Sequence, residues 1–288
     1  MKQKIAIRIA EVSISIEWED RNLECMLHPI YQSFFGNGKS DIVLRIREGF
    51  QTVPLGRKVF DGAPVWTLYR GKGKWVIRLF HDDRDSPVER VMVLDPSLRH
   101  GELYVKKSLN GSPFVVEPFH GPTAELLMVQ YLSQGRGILL HACGIELEGK
   151  GILFTGHSGA GKSTMAQLWN DAENVSILSD DRIVLRKKDG FFWIYGTPWH
   201  GEEQFASPEG CPLERIYFIK HAERNQIEGT AGIEATSKLL AYSLPPFWDK
   251  RGMGFTLDFL SELSKKIPCQ ELGFLPDRGV VRLIRSMN

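Results

Sequence analysis

Nine residues, GHSGAGKST at positions 156–164, constrain this chain more than any other segment. They fit the pattern G-x-x-x-x-G-K-[ST] at Gly156, Gly161, Lys162 and Ser163. Glycines let a loop fold tightly enough for several backbone N–H groups to converge on one anion. A helix that follows directly aims the positive end of its dipole at the same spot. Lys162 then reaches the β- and γ-phosphates of a nucleotide, and the Ser163 hydroxyl is placed to ligate Mg²⁺. His157, Ser158, Gly159, Ala160 and Thr164 complete the cradle. Such a pattern also arises by chance, so its flanks decide. GILFT (151–155) reads as a strand directly before the loop, and TMAQLWN (164–170) as a helix directly after it. ATP and Mg²⁺ are therefore the expected cofactors.

A site of this kind is completed by an acid at the end of a neighbouring apolar strand. VSILSDD (175–181) supplies Asp180 and Asp181 one helix and one turn downstream. Neighbouring residues of an extended strand point to opposite sides. The pair is accordingly expected to divide its work, one acid toward the metal and one toward an acceptor. The competing reading is an exposed acidic turn.

The rest of the chain sorts into two textures. Residues 1–118 read as short strands: IAIRIAEVSISIEW as one alternating strand within 4–18, then 41–46, 65–71, 74–80, 89–95 and 102–107. Turn-formers at 36–38, 71–74, 82–87 and 110–113 separate them, with one short helix near Leu27–Phe34. Residues 119–288 mix helices and strands, with helices at 121–134, 234–243, 255–265 and the C-terminus, and a hairpin turning at Asp189-Gly190. The expected fold class is α/β (mixed α+β), a P-loop domain (119–288) preceded by a mainly β domain (1–118).

Bulk properties exclude several classes. The chain carries 36 Lys and Arg against 35 Asp and Glu, a net charge of +1. Nucleic-acid and membrane-surface proteins show a basic excess instead, so neither partner is expected. The four cysteines are scattered without a C-x-x-C pair and read as reduced thiols. The N-terminus alternates where a signal peptide would be continuously apolar, and no run reaches the roughly 18 apolar residues of a membrane span. A cytoplasmic protein is expected.

Other residues admit two readings each. His141, in ILLHACGI, is as consistent with a buried core histidine as with a functional one. GTPWHGEEQF (196–205) gathers Trp199, His200, Glu202 and Glu203 on a loop, and Glu202 is the candidate for a further metal contact. Lys250 and Arg251 stand in a glycine-containing segment that reads as a loop able to close over phosphates, or as a solvated basic turn. Phe191, Phe192 and Trp193 read as core on a strand.

Four pieces in order resemble the kinase domain of the bacterial HPr kinase/phosphorylase family. They are His141 in LLHACGIEL, the 156–164 loop, the Asp180–Asp181 pair and GTPWHGE (196–202). The resemblance covers roughly residues 135–205 and leaves 1–118 unaccounted for. It implies a fold related to phosphoenolpyruvate carboxykinase, a serine hydroxyl acceptor and a homo-oligomer. It also implies Asp180 as the catalytic acid/base, Asp181 near Mg²⁺, and His141 as a catalytic residue that hydrogen-bonds within the acid cluster. The loop ends Ser163-Thr164 where the family has Ser-Glu, and the family's arginine-rich signature is missing. A peptide or small protein other than HPr is therefore the expected acceptor. A small-metabolite kinase and a nucleotide-gated binding module remain the alternatives.

Overall fold

The computed structural model describes residues 2–49, 53–62, 64–80, 88–106 and 114–287. Strands dominate a mixed α/β architecture: the described residues form eighteen strands and five α-helices. The expected turns at 82–87 and 110–113 lie outside the described residues. The chain divides into two compact units, Met1–Leu127 and Met128–Asn288.

The first unit contains β1 (Gln3–Ile9), β2 (Val12–Trp18), β3 (Leu23–Cys25), a 3-10 turn (Pro29–Phe34), β4 (Ile42–Glu48) and β5 (Arg57–Gly62). It continues with β6 (Trp66–Gly71), β7 (Lys74–Phe80), β8 (Val88–Leu94), β9 (His100–Val105) and β10 (Phe114–Val116). Eight of these strands make one sheet in the order β1-β2-β4-β9-β8-β7-β6-β5, and β3 pairs with β10. Parallel pairing joins β2 to β4 and β4 to β9, with antiparallel pairs on either side. Alternate residues Ile7, Ile9, Ile14, Ile16, Ile42, Leu44 and Ile46 are buried, the period-two signature of one covered face.

One expectation fails here. The alternating run within 4–18 is two strands, β1 and β2, in register Ile9↔Val12. The chain reverses at Ala10 and Glu11, whose φ values are +48° and +61°. Two consecutive left-handed residues make the turn whose twist suits a hairpin. Neither is Gly, Asn or Asp, so the only local sign of the turn is the change of phase in the alternation between Ile9 and Val12, and each left-handed residue costs roughly 1–2 kcal/mol. Burial of the flanking isoleucines and Val12 on one face offsets that cost. The strands β3, β5 and β10 were also not anticipated, being short or weakly alternating.

The second unit contains the second half of α1 (Thr123–Leu132), then β11 (Ile138–Leu147), β12 (Lys150–Thr155), α2 (Lys162–Asn170), β13 (Val175–Ser179), β14 (Arg182–Lys188) and β15 (Phe191–Tyr195). After these come β16 (Gly210–His221), β17 (Gln226–Gly229), α3 (Gly232–Tyr242), α4 (Lys250–Lys266), β18 (Cys269–Phe274) and α5 (Gly279–Arg285). Two long strands serve two sheets. The start of β11 pairs with β14, while its end pairs with β12 and β13. The start of β16 pairs with β15, while its end runs parallel to β12 and β18. Pairing therefore closes a circuit β11-β14-β15-β16-β12-β11.

Side-chain parity assigns the two faces. Leu140 and Ala142 of β11, Leu153 of β12 and Ile216 and Phe218 of β16 join Leu239 of α3 and Phe259 of α4 in one core. Cys143, Ile152, Phe154, Tyr217 and Ile219 join Trp169 of α2 and Ile284 of α5 in a second. Helices thus cover both faces of β12 and β16, which explains why GILFT is apolar without alternation. Trp169, wholly buried at the last turn of α2, fixes that helix; large-to-small changes at such sites cost about 3–5 kcal/mol.

Lys250 and Arg251 are not on a loop. They open α4, where the Asp249 carboxylate accepts a hydrogen bond from the Arg251 amide (3.3 Å) as an N-cap. Gly252 fits the tight packing there, since a Cβ would lie 2.6 Å from Pro246 Cγ and 3.2 Å from Ser133 Cβ. The first three aromatics of β15 also divide: Phe192 is buried, Phe191 is exposed, and Lys188 sits 4.7 Å over the Trp193 ring.

All four cysteines are buried and unpaired. Burial pushes the thiols of Cys25 and Cys211 up to about 12, that of Cys269 to about 11, and that of Cys143 further still. A raised thiol leaves stability intact below the unfolded value of about 8.5 and removes it as pH climbs above that. The native chain should therefore show no thiol to a disulfide-exchange reagent at pH 8 and four after denaturation. Its unfolding midpoint should also fall between pH 9 and 11.

Candidate functional site

The site forms where strands end. β12 runs parallel to β16, and both β12 and β13 are antiparallel to β11. Their carboxyl ends, Thr155, Ser179 and His221, deliver the chain to one edge, the location where open α/β sheets bind ligands. The register Ala142↔Thr155 sets His141 of β11 beside that edge. The Thr155 hydroxyl donates to the His141 carbonyl (2.8 Å) and ties the two strands there.

Residues 156–161 leave β12 as a tight loop and enter α2 through Gly161. Gly159 and Gly161 have φ of +78° and +100°, which strains any side-chain-bearing residue. A Cβ on Gly161 would also come within 2.6 Å of Phe274 Cζ. The Ala160 amide donates to the His157 carbonyl (3.1 Å), closing the turn. Lys162 folds back beneath it, its ammonium donating to the carbonyls of Gly156 and His157 at 3.1 Å each. Burial holds the Lys162 pKa below the ordinary lysine value, and the charge of Asp181 opposes that shift.

The two acids follow β13 and face different partners. Asp180 is almost wholly buried and accepts hydrogen bonds from the amides of Gly201 (2.9 Å) and Glu203 (3.2 Å). Asp181 accepts from His141 Nε2 at 2.9 Å and from Arg182 Nη1 at 2.6 Å. Because a carboxylate only accepts, His141 carries its proton on Nε2. Burial would raise the Asp181 pKa, but the His141 hydrogen bond and the charges of Arg182, His141 and Lys162 outweigh it and hold it low. Asp181 therefore stays ionised.

The loop 196–205 is clasped onto this pair. The Ser179 hydroxyl donates to the Trp199 carbonyl (3.2 Å) and the Thr197 hydroxyl to the Arg182 carbonyl (2.8 Å). Gly201 has no room for a side chain, as a Cβ would lie 2.7 Å from Asp180 Oδ2. Gly201→Ala should lower stability by about 1–3 kcal/mol, the usual cost of overpacking, readable as a lower thermal midpoint. Wild-type stability in that variant would show that the clasp is slack.

A cavity of about 330 Å³ opens at this edge, within the range of small-ligand pockets. Ser158, Gly159, Gly161, Lys162, Ser163 and Thr164 line it from the loop. Across from them stand His141, Asp180, Asp181 and Glu202. The other three loop residues named from the sequence do not line it. Gly156 and His157 supply carbonyls to Lys162, and Ala160 is fully buried. Lys250 and Arg251 are not part of this lining.

Gly201 and His221 line the cavity without having been singled out from the sequence. His221 ends the apolar strand RIYFIK, and a polar residue at the carboxyl end of a parallel strand is the signal that could have found it. Among the described residues, no group of three His, Cys, Asp or Glu side chains is placed to hold a metal unaided. No helix of the described residues is long and apolar enough to cross a membrane.

No family model matches the chain, and no curated protein matches it. Among solved structures it is similar to the Hpr(Ser) kinase/phosphatase from Coxiella burnetii, with 11% identity and a TM-score of 0.29. That similarity covers 52% of this chain and 91% of the other.

Proposed function

We propose that the chain is a kinase that moves the γ-phosphoryl of Mg-ATP onto a serine or similar hydroxyl of a peptide or small protein. The observation that carries this reading is one cavity in which a glycine loop with its lysine faces two differently partnered aspartates. Phosphoryl transfer demands charge neutralisation, positioning and a proton acceptor, and little covalent chemistry from the protein. Lys162 and the amides at the start of α2 supply the first. Ser163 and Asp181 would hold Mg²⁺, with Glu202 as a further ligand. The ionised state of Asp181, maintained by His141, suits a hard cation. The protein donors fit Mg²⁺ rather than a metal caged by side chains, because Mg²⁺ takes one or two carboxylates and completes its shell with phosphate oxygens and water. Bound Mg²⁺ neutralises the developing charge on the phosphates.

Asp180 is the acid/base. Its two amide contacts fix the carboxylate in place and leave it lone pairs to accept the acceptor's proton. The C-terminal unit is then a P-loop domain of the HPr-kinase and phosphoenolpyruvate-carboxykinase-like kind, and the N-terminal β unit selects the acceptor. Unpaired thiols suit a reducing cytoplasm.

The test is transfer from γ-labelled ATP with Mg²⁺ to short serine peptides, small carrier proteins and free serine. Label on a peptide or protein supports the reading, label on free serine alone favours a metabolite kinase, and nucleotide binding without transfer sinks the kinase assignment.

A further inference from the structure

We infer that His221 is a positioning residue that locks the phosphate loop in its anion-accepting shape, an inference resting on the nucleotide-binding reading above. The histidine comes from β16, a strand separate from those that launch the loop and the acids, and its ring lines the same cavity. His221 Nε2 lies 3.0 Å from the Gly159 carbonyl oxygen. A carbonyl only accepts, so Nε2 carries the proton and donates. The ring itself is held by stacking on Phe274, with centroids 5.5 Å apart and planes 29° from parallel. Phe274 is fully buried, so the donor is mounted on the core.

The loop needs such a hold because of what its glycines allow. Gly159 and Gly161 occupy left-handed conformations, yet glycine visits either sign of φ at little cost. The peptide between Gly159 and Ala160 is held at both ends, its N–H on the His157 carbonyl (3.1 Å) and its oxygen on His221, and loss of the second hold would free that oxygen to turn toward the cavity that Gly159 lines. A carbonyl oxygen presented to a phosphate repels it, whereas N–H groups attract it. Pinning the Gly159 oxygen to His221 removes that alternative before ligand arrives. The same ring and Phe274 also pack against Gly161, where a Cβ would lie 3.3 Å from His221 Cε1 and 2.6 Å from Phe274 Cζ. The stacked pair therefore restrains both left-handed glycines.

Preorganisation of this kind is worth about one hydrogen bond, or roughly a 3- to 10-fold change in affinity. Two substitutions separate the hydrogen bond from the stack: His221→Phe keeps an aromatic ring against Phe274 but cannot donate, and His221→Gln keeps a donor at similar reach. His221 is exposed, so neither change threatens the core. Dissociation constants for Mg-ATP, measured by calorimetry on the full chain, should rise about 3- to 10-fold in His221→Phe and His221→Ala. His221→Gln should stay within about twofold of wild type, with all thermal midpoints alike. Wild-type affinity in His221→Phe would overturn the tether, and so would equal affinity in all four proteins. A wild-type chain that binds no Mg-ATP would overturn the tether and the nucleotide-binding reading together.

Discussion

Lys162→Met should reduce phosphoryl transfer by at least about 100-fold, the scale seen when one donor to a developing charge is removed, and should not lower the thermal midpoint. Two observations give the opposite directions. For function, Lys162 is the cation of the loop and lines the cavity, so under the proposed kinase reading its loss would remove the charge meant for the phosphates. For stability, burial depresses its pKa. A base whose folded pKa is lowered is protonated at a cost in the folded state, and a neutral side chain of similar length removes that cost. The carbonyls of Gly156 and His157 lose a partner, which partly offsets the gain. Activity and stability measured on the same preparation check both halves. A midpoint that falls with activity would mean that Lys162 holds the loop together and that its functional role has been overread.

Asp180→Asn should lower transfer by about 10²- to 10⁴-fold, the range for a general base, while Mg-ATP affinity changes little. This variant is not silent in structure. Both carboxylate oxygens of Asp180 accept backbone N–H groups, from Gly201 and Glu203. An asparagine offers one acceptor and one donor group, so one amide would face an NH₂. The clasp on loop 196–205 loosens, at a cost of about 1–3 kcal/mol. Gly201→Ala provides the matched control, because it disturbs the same clasp by crowding the Asp180 carboxylate without removing it. If Asp180 is the base, Asp180→Asn loses far more activity than Gly201→Ala at a similar drop in midpoint. Equal losses in both would assign Asp180 to holding the loop and would leave the base to be found elsewhere.

How much of this was readable in advance depends on the range of each interaction. The order strand, glycine loop, helix is local, and β12, residues 156–161 and α2 follow it. The hairpin at Asp189-Gly190 is equally local, with φ of +50° and +85° at its two corners. Asp180 and Asp181 do take different partners, but they lie at the bend between β13 and β14 and not on an extended strand, so the alternation of a strand is not what separates them. Expectation failed where a short-range rule met a long-range constraint. At Ala10–Glu11 the alternation changes phase, from Ile5, Ile7 and Ile9 to Val12, Ile14 and Ile16, and that shift marks the reversal although the turn residues carry no glycine signal. At Lys250–Arg251 the prolines and glycines suggest a loop, whereas the Asp249 cap and the packing of Gly252 against Pro246 start a helix.

The sequence by itself determined the order strand, glycine loop, helix, the acid pair downstream of it and the mixed α/β character, since each is written in neighbouring residues. Tertiary structure alone decided which residues meet. His141 is forty positions from Asp181, and antiparallel β11 brings their side chains to 2.9 Å. Gly201 reaches Asp180 because Ser179 and Thr197 tie a distant loop down. His221 reaches Gly159 because β16 lies parallel to β12 and ends at the same edge. The physical reason is common to all three: strand register converts distance along the chain into contact, and register is fixed by burial of both sheet faces rather than by any local run of residues.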